Sequence, residues 1–239
     1  MSRIPAYIVC SPFARCGATT ITRLLADFHL LEQRELTLFE TNSQSPALEN
    51  WFPDICNVVD LMTTRGQMDL FDQMIFAEPQ TRIAEICSGF YRAFFMQARE
   101  IGFFEEAESR GYHPVIVFVS NGSHVSVEAM TTLHALWPRV TKVVAINEGL
   151  VRLGKNLHDH LAAFPTELSF QIPALEGLPR REFETPDFSI SNFFISTPPD
   201  DMSLVVRADL RNWMRRVFTQ FHSHELRMAF DNARYLMRA

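Results

Sequence analysis

The chain of 239 residues is 47% apolar and 21% charged, which predicts a globular protein with one sizeable core. Its formal net charge of −6 argues against a surface that follows nucleic acid throughout, although a local basic face stays open. No apolar run approaches the roughly 20 residues that span a bilayer. The four cysteines lack metal-site spacing and the N-terminus does not resemble a secretory signal. We therefore expect a single domain over residues 1–239, with reduced thiols, in the cytoplasm.

Short apolar segments alternate with segments of helical periodicity along the chain. Several short segments are apolar at consecutive rather than alternate positions, as expected for strands that are covered on both faces. This pattern predicts an α/β fold with a doubly wound, mostly parallel sheet flanked by helices. The predicted strands cover residues 6–10, 36–40, 82–87, 115–119, 142–147 and 169–173.

Helical periodicity is clearest directly after the first strand. Ile21, Leu24, Leu25 and Phe28 lie at i, i+3, i+4 and i+7, which predicts the apolar face of an amphipathic helix. Prolines predict an irregular connection over residues 175–202. Further helices are predicted over residues 90–111, over residues 126–137 and, as one or two helices, over residues 203–238.

The turn between the first strand and the first helix has the outline of a phosphate-binding loop. Such a loop needs glycines so that backbone N–H groups converge on phosphate, a lysine for the phosphate oxygens, and a Ser or Thr hydroxyl for Mg²⁺. Against G-x-x-x-x-G-K-[ST], residues 12–19 match only at Gly17 and Thr19, and Ala18 stands in the place of the lysine. An ordinary helix start, capped by Thr19 and eased by Gly17, explains the same residues, and both interpretations stay open.

Three later segments lie at or just beyond the ends of predicted strands: Glu40-Thr41-Asn42-Ser43-Gln44, Glu85-Ile86-Cys87-Ser88-Gly89, and Asn147. Together with the loop, their order and spacing resemble the ParA/MinD family of P-loop ATPases. In that family the corresponding segments read K-G-G-x-G-K-T-T, D-x-D-P-Q, D-x-P-A-G and a final Asn. On this alignment Phe13 replaces the signature lysine, Ala14 and Arg15 the paired glycines, and Ala18 the second lysine, while Gly17, Thr19 and Thr20 are kept.

The resemblance implies a three-layer α/β/α fold of the P-loop NTPase kind and a site for ATP or ADP with Mg²⁺. The Mg²⁺ positions that it implies are Thr19 and Glu85, and the catalytic positions are Glu40 and Glu85. Asn147 takes the position that reads the adenine. The nucleotide-binding positions as a whole are Arg15, Cys16, Gly17, Ala18, Thr19, Thr20 and Asn147.

The altered residues change what this site is expected to do. A charge-assisted hydrogen bond is worth about 1.5–3 kcal/mol, so two absent lysines remove about 3–6 kcal/mol, or roughly two to four decades of affinity. Arg15 offsets part of this loss because a guanidinium binds phosphate bidentately. We therefore expect a non-hydrolysing or weakly nucleotide-binding protein that acts through a homodimer or a partner protein. A slow ATPase that uses Arg15, Thr19, Glu40 and Glu85 is the alternative.

The last segment, residues 203–238, mixes apolar and basic residues. A cap that packs on the sheet explains the apolar residues Trp213, Val217, Phe218 and Phe221. The other interpretation is a DNA-partition or membrane-positioning factor, in which this basic helix binds DNA or a membrane surface. A row of arginines at i, i+4 spacing supports that alternative and consists of Arg207, Arg211 and Arg215.

Simpler interpretations exist for several other polar residues. Glu40 and Glu85 also suit solvated strand ends, and Asn147 suits a turn after a strand. The histidine pairs 158/160 and 222/224 have i, i+2 spacing, which directs the two rings to different sides of a helix. We therefore predict surface histidines there rather than a metal site.

Overall fold

The computed structural model describes residues 3–76, 78–166, 168–186, 188–195 and 202–236. Within these residues, seven strands form one parallel sheet in the order β3-β2-β4-β1-β5-β6-β7. The strands are β1 (Ile4–Cys10), β2 (Leu36–Glu40), β3 (Cys56–Val58), β4 (Thr81–Ile86), β5 (Tyr112–Val119), β6 (Thr141–Asn147) and β7 (Ser169–Ile172). The helices are α1 (Ala18–Leu31), α2 (Leu48–Trp51), α3 (Thr64–Ile75), α4 (Tyr91–Glu100), α5 (Phe103–Ser109), α6 (His124–Leu136), α7 (Leu157–Ala162), α8 (Gly177–Glu184), α9 (Ile190–Ile195) and α10 (Leu204–Leu236).

Helices cover both faces of the sheet. Alternate residues of each strand enter two separate cores: Tyr7 and Val9 of β1 face one core, and Ile8 and Cys10 face the other. Helices α1, α8, α9 and α10 contribute to the first core, and α3 to α6 contribute to the second. Burial on both faces explains the apolar residues at consecutive positions. The predicted three-layer α/β/α fold is confirmed.

The direction in which strands are added reverses at β1. Strands β2, β3 and β4 lie on one side of it, and β5, β6 and β7 lie on the other. The last residue of β1, Cys10, pairs with Ile86 of β4 and with Phe118 of β5. The segments after these three strands therefore meet at the carboxyl ends of the strands, where parallel α/β proteins bind their ligands. We call this end of the sheet the loop edge.

All six predicted strands are present, but one predicted helix is divided. The segment 90–111 forms α4 and α5, which are separated by Gly102 in a left-handed conformation with φ 64°. This turn lets Phe103 and Phe104 enter the core directly after it. Strand β3 and helix α3 were not predicted, and β3 pairs only with β2 at the edge of the sheet.

The predicted irregular connection over residues 175–202 contains two helices, α8 and α9, so this prediction is wrong for those residues. Phe183 of α8 and Ile190 and Phe193 of α9 are buried in the core beside α1. Their burial fixes the two short helices in spite of the prolines around them. Residues 196–201 lie outside the described part of the chain.

The predicted apolar face of α1 is buried in the core, and the rest of the helix is buried as well over residues 21–29. It lies between the sheet and the helices α8 to α10, so that even Arg23, Asp27 and His29 are buried. The prediction of the apolar face is confirmed, but it did not include the burial of the opposite, polar face. The signal that it missed is the polar pair Arg23 and Asp27, spaced i, i+4 among apolar residues.

The C-terminal segment forms one continuous helix, α10, which caps the sheet. Trp213, Val217, Phe218 and Phe221 are all buried in the core that contains α1, which confirms the cap. The guanidinium of Arg211 lies 5.9 Å from the ring centre of Phe193, so the arginine row is partly packed against protein. Among the described residues, no helix combines the length and apolarity that crossing a membrane requires.

The histidine prediction fails at two of its four positions. His224 is buried, and its ring lies edge-on against Phe170 at 5.3 Å between ring centres. His160 is only half-buried, and its Nε2 lies 2.9 Å from the Ser120 hydroxyl. The described residues contain no group of three or more His, Cys, Asp or Glu side chains that could hold a metal ion by themselves.

Candidate phosphate-binding site

The loop from Ser11 to Gly17 joins the central strand β1 to α1. Arg15 has φ 60° and Gly17 has φ 96°, so two residues of the loop are left-handed. A Cβ atom on Gly17 would lie 2.7 Å from Asn147 Nδ2, so only glycine fits there without displacing Asn147. The left-handed conformation is strained for Arg15, whereas glycine adopts it freely, and the ParA/MinD pattern has glycine at this position. The loop thus keeps a glycine-type backbone without the glycine.

The amino end of α1 is open. Gly17 is its N-cap residue and provides no side chain that bonds to the first turn. The first N–H groups of a helix have no partner within the helix, and they carry the positive end of its dipole. Two side chains hold the loop itself: Ser11 Oγ accepts the N–H of Phe13 at 3.2 Å, and Cys16 Sγ donates to the Phe13 carbonyl at 3.2 Å.

A cavity of about 480 Å³ opens beside this helix terminus. Four segments line it: Ser11 with residues 13–19, Asn42, residues 85–88, and Leu150. The structure thus brings together five of the predicted nucleotide-binding positions, from Arg15 to Thr19, with one predicted carboxylate, Glu85. Thr20 and Asn147 line a different, neighbouring cavity.

Thr19 and Glu85 form the centre of the site. The Thr19 hydroxyl donates to Glu85 Oε1 at 2.7 Å, and it links the first turn of α1 to the end of β4. Glu85 is only 7% exposed, and its Oε2 has no hydrogen-bond partner among the described residues. Burial, with a smaller effect of the nearby Glu40, raises the pKa of Glu85 to about 7 although the Thr19 bond opposes the shift.

This pair fits the Mg²⁺ ion that the resemblance implies. Mg²⁺ in phosphate sites is held by one or two protein oxygens, and the phosphate and water supply the rest. Thr19 and Glu85 would provide those protein oxygens. The unbonded Oε2 of Glu85 is a buried acceptor of the kind that a cation satisfies. A bound cation would also favour the ionised form of Glu85.

Glu40, predicted as a catalytic residue, has its carboxylate oxygens bonded elsewhere. Oε1 accepts the N–H of Ala47 at 2.7 Å, and Oε2 accepts the N–H groups of Leu48 at 2.8 Å and Glu49 at 3.4 Å. The side chain therefore caps the amino end of α2, and Glu40 does not line the loop cavity. This geometry favours a structural role over the predicted catalytic one. It is also buried rather than a solvated strand end.

The second cavity, which Thr20 and Asn147 line, is about 60 Å³. Asn147 is 8% exposed, and its Oδ1 accepts the N–H of Gly149 at 3.0 Å. Leu150 lines both cavities and stands between them. The bond to Gly149 favours the predicted turn after β6, and the predicted contact with adenine stays a prediction.

The loop's remaining predicted positions differ in exposure. Arg15 is exposed at the mouth of the cavity, and no ion pair within the described residues engages its guanidinium. Ala18 is the first residue of α1, where the family keeps lysine. Cys16 is buried, and burial raises the pKa of its thiol, which disfavours a reactive thiolate.

Sequence reasoning missed Arg23, which anchors one wall of the second cavity. Its guanidinium is buried, donates to the Phe183 carbonyl at 2.7 Å and the Phe188 carbonyl at 2.5 Å, and lies 4.1 Å from the Trp51 ring centre. Arg23 therefore fastens the segment with α8 to α1. Leu150 was also missed, because nothing in its local sequence distinguishes it from other apolar residues that follow a strand.

The central loop, the open helix terminus and the switch point at β1 define a doubly wound α/β fold with a candidate anion site after its central strand. No protein-family model matches the chain, and no curated protein sequence matches it significantly. Among solved structures, a nucleotide-binding protein of Archaeoglobus fulgidus in complex with ADP is similar, with a TM-score of 0.50 and 12% identity, over 71% of this chain and 81% of that one. A protein assigned to plasmid partition in Borrelia burgdorferi B31, bound to AMPPNP, is similar with a TM-score of 0.54 and 9% identity, over 92% of this chain and 99% of that one.

Both structures share the fold of this chain, which is the fold that its resemblance to the ParA/MinD family of P-loop ATPases predicted. At these low identities the likeness concerns the fold alone. What the loop of this chain binds follows from its own residues.

Proposed function

We propose that this protein binds a phosphate ligand with Mg²⁺ at the loop between β1 and α1, weakly and without efficient hydrolysis, and acts through contacts with a second copy or a partner protein. The observation that carries the proposal is the Thr19–Glu85 pair, which lies beside an uncapped helix terminus, lines a cavity and leaves Glu85 Oε2 buried without a hydrogen-bond partner. A helix terminus attracts anions, and a carboxylate beside it needs a cation. A phosphate with Mg²⁺ supplies both.

Weak binding follows from the side chains that the loop lacks. Neither Phe13 nor Ala18 provides the positive charge that the ParA/MinD pattern has at these positions. The remaining donors are the backbone N–H groups of the first turn and the guanidinium of Arg15, which is exposed and therefore screened by solvent. We expect affinities in the millimolar rather than the micromolar range.

Poor hydrolysis follows from the acidic residues. Phosphoryl transfer depends on positioned charges around the transferred group and on a residue that orients the attacking water. Glu40 is bonded to α2, and Asn42 cannot act as a base. Glu85 is assigned to the Mg²⁺ ion, and the loop carries no lysine that would stabilise the transferred group. The alternative function, a slow ATPase, would be detected by a hydrolysis assay.

Exposed apolar residues beyond the ends of three strands support action through a protein contact. Met62 follows β3 and is 78% exposed, Val125 follows β5 and is 54% exposed, and Leu150 follows β6 and is 48% exposed. These segments lie at the same edge of the sheet as the loop. We infer an interaction surface at this end of the sheet from the exposure of these three side chains.

The binding proposal is tested by calorimetric titration with ATP and ADP, each with Mg²⁺, on the parent protein and the Ala18→Lys variant. The restored lysine adds one charge-assisted hydrogen bond, so we expect about tenfold to a hundredfold tighter binding. Thr19→Ala removes the partner of Glu85 and should abolish the Mg²⁺-dependent part of the affinity. Release of inorganic phosphate is measured on the same samples.

The matched control is Thr20→Ala, because Thr20 lies outside the loop cavity and should leave phosphate binding nearly unchanged. The absence of binding in both the parent and Ala18→Lys at millimolar ligand would refute the proposal. Rapid release of phosphate by the parent would refute the non-hydrolysing part and favour the ATPase alternative.

The contact surface is tested by sedimentation of Val125→Glu with and without ligand and Mg²⁺. A charge at this position should abolish any concentration-dependent association. Leu226→Glu is the control, because Leu226 is similarly exposed but lies near the other end of the strands. Its neighbour Glu225 is bonded to Arg34, which comes just before the start of β2. Equal effects of the two substitutions would contradict a contact at the loop edge.

A further inference from the structure

We propose that the loop cavity recognises its ligand by phosphate and divalent cation alone, with no contribution from a nucleoside base. This inference rests on the proposed function and specifies its ligand class. Inorganic pyrophosphate and tripolyphosphate should then bind as tightly as the nucleotides that contain the same phosphate groups. The ligands of this site would be polyphosphate groups in general rather than adenine nucleotides.

The polar groups in the cavity suit phosphate and a cation. Glu85 is more than nine-tenths buried, lines the cavity and carries an oxygen without a partner, and Thr19 lies beside it. The open terminus of α1 and the guanidinium of Arg15 supply positive charge. Each of these groups favours an anion or a cation, and none is a buried amide that would read the edge of a base.

The amide that would read a base is already engaged. Asn147 is buried, its Oδ1 accepts the N–H of Gly149, and its Nδ2 is in contact with the backbone of the loop, where Gly17 leaves room for it. Its main-chain carbonyl accepts the N–H groups of Leu150 and Val151 at 3.0 and 2.8 Å. A base would therefore have to share Asn147 Oδ1 with the N–H of Gly149.

The room beside Asn147 is also too small for a base. The second cavity measures about 60 Å³, against about 300 Å³ for the smaller ligand pockets of proteins. Two of its walls are held in place: Trp213 Nε1 donates to the Pro173 carbonyl at 2.7 Å, and Arg23 holds the carbonyl of Phe183. Both aromatic side chains belong to the core, so the cavity does not enlarge on their side without disturbing it.

Leu150 separates the two cavities. Its Cδ1 atom would lie 3.2 Å from a Cβ atom on Gly17, so the side chain packs directly against the loop. A ligand whose phosphates lie at the terminus of α1 therefore meets Leu150 before it reaches Asn147. Any base attached to the ligand remains at the open side of the loop cavity, without a specific partner.

The test is calorimetric titration of the whole protein with tripolyphosphate, ATP and GTP, each with Mg²⁺, with adenosine as the ligand that lacks phosphate. We expect dissociation constants for the first three that agree within about threefold, and no binding of adenosine. ATP binding that is tighter than tripolyphosphate or GTP binding by about tenfold or more would overturn the inference and leave the proposed function intact. If no phosphate ligand binds, the proposed function fails and this inference with it.

The role of Leu150 is tested with Leu150→Ala, which should open a path from the loop cavity to Asn147. We expect this variant to gain a preference for ATP over tripolyphosphate, while Leu226→Ala, the same substitution at an exposed leucine outside both cavities, should not. Leu150 is about half exposed, so the protein should keep its fold. If the ratio of the dissociation constants for ATP and tripolyphosphate in Leu150→Ala equals that of the parent, Leu150 is not the residue that blocks the path to Asn147.

Discussion

Replacing Glu85 with Gln should stabilise the protein at alkaline pH while it weakens Mg²⁺-dependent binding. Glu85 is buried and keeps only one hydrogen bond, from Thr19, so its ionised form lacks compensation in the absence of a ligand. Gln has nearly the same shape, never ionises, and still accepts the Thr19 hydroxyl. The substitution therefore removes the charge and leaves the packing unchanged.

The magnitude and its sign follow from the pKa. Burial raises the pKa of Glu85 from 4.5 to about 7 in the folded protein, so between these pH values the native state binds more protons than the unfolded state. The stability of the parent therefore falls as the pH rises through this window. A difference of about 2.5 in pKa corresponds to about 3 kcal/mol, which is the expected advantage of Glu85→Gln above pH 7. Below pH 4.5 the advantage should vanish.

Urea unfolding between pH 4.5 and pH 8.5, followed by the fluorescence of the three tryptophans, measures this difference. Groups that titrate equally in both proteins cancel in the comparison. Glu105→Gln is the matched control, because Glu105 is exposed, and its effect should not change across the window. If Glu85→Gln changes the free energy of unfolding equally at pH 4.5 and at pH 8.5, Glu85 is ionised throughout this range and its pKa is not raised.

Three further substitutions test other parts of the site. Arg15→Gly should raise the free energy of unfolding by about 1 kcal/mol, because glycine accepts a φ of 60° without strain, and should weaken tripolyphosphate binding in the same calorimetric series. Arg23→Leu should lower the free energy of unfolding by about 3 kcal/mol, because Asp27 loses its cation. Burial raises the pKa of Asp27 to about 7, so the loss should be larger at pH 8, where Asp27 is ionised, than at pH 5. An equal loss at both pH values would contradict this pairing. Gly17→Ala should destabilise the protein by about 1–2 kcal/mol and abolish phosphate binding, because the new Cβ displaces Asn147 and the φ of 96° disfavours any side chain. Unimpaired binding by Gly17→Ala would contradict a loop held in this conformation.

The sheet could be predicted well from the sequence because its strands carry a strong local signal. Residues buried on both faces are apolar at consecutive positions, as in β5 and β6, and all six predicted strands are present. Strand β3 has three residues and lies at the edge of the sheet, so its sequence carries almost no pattern. The helix at residues 90–111 was predicted as one because Gly102 interrupts the chain without interrupting the apolar periodicity.

The sequence predicted which residues lie near the loop, but not which hydrogen bonds those residues form. The resemblance to the ParA/MinD family placed Thr19 and Glu85 at one site, and the structure joins them directly. The bonds of Glu40 depend on the path of residues 47–49, which no local pattern specifies. The closure by Leu150 depends likewise on how a turn after β6 packs against a loop more than a hundred residues earlier in the chain.

The central claim is that a loop without its lysines still forms a phosphate cradle. Its most direct test is an NMR titration of ¹⁵N-labelled protein with tripolyphosphate and Mg²⁺. We expect the amide resonances of residues 15–19 and of Glu85 to shift together and to saturate, and those of Asn147 and Gly149 to move much less. Saturating shifts elsewhere in the protein, with the amides of residues 15–19 unmoved, would contradict it.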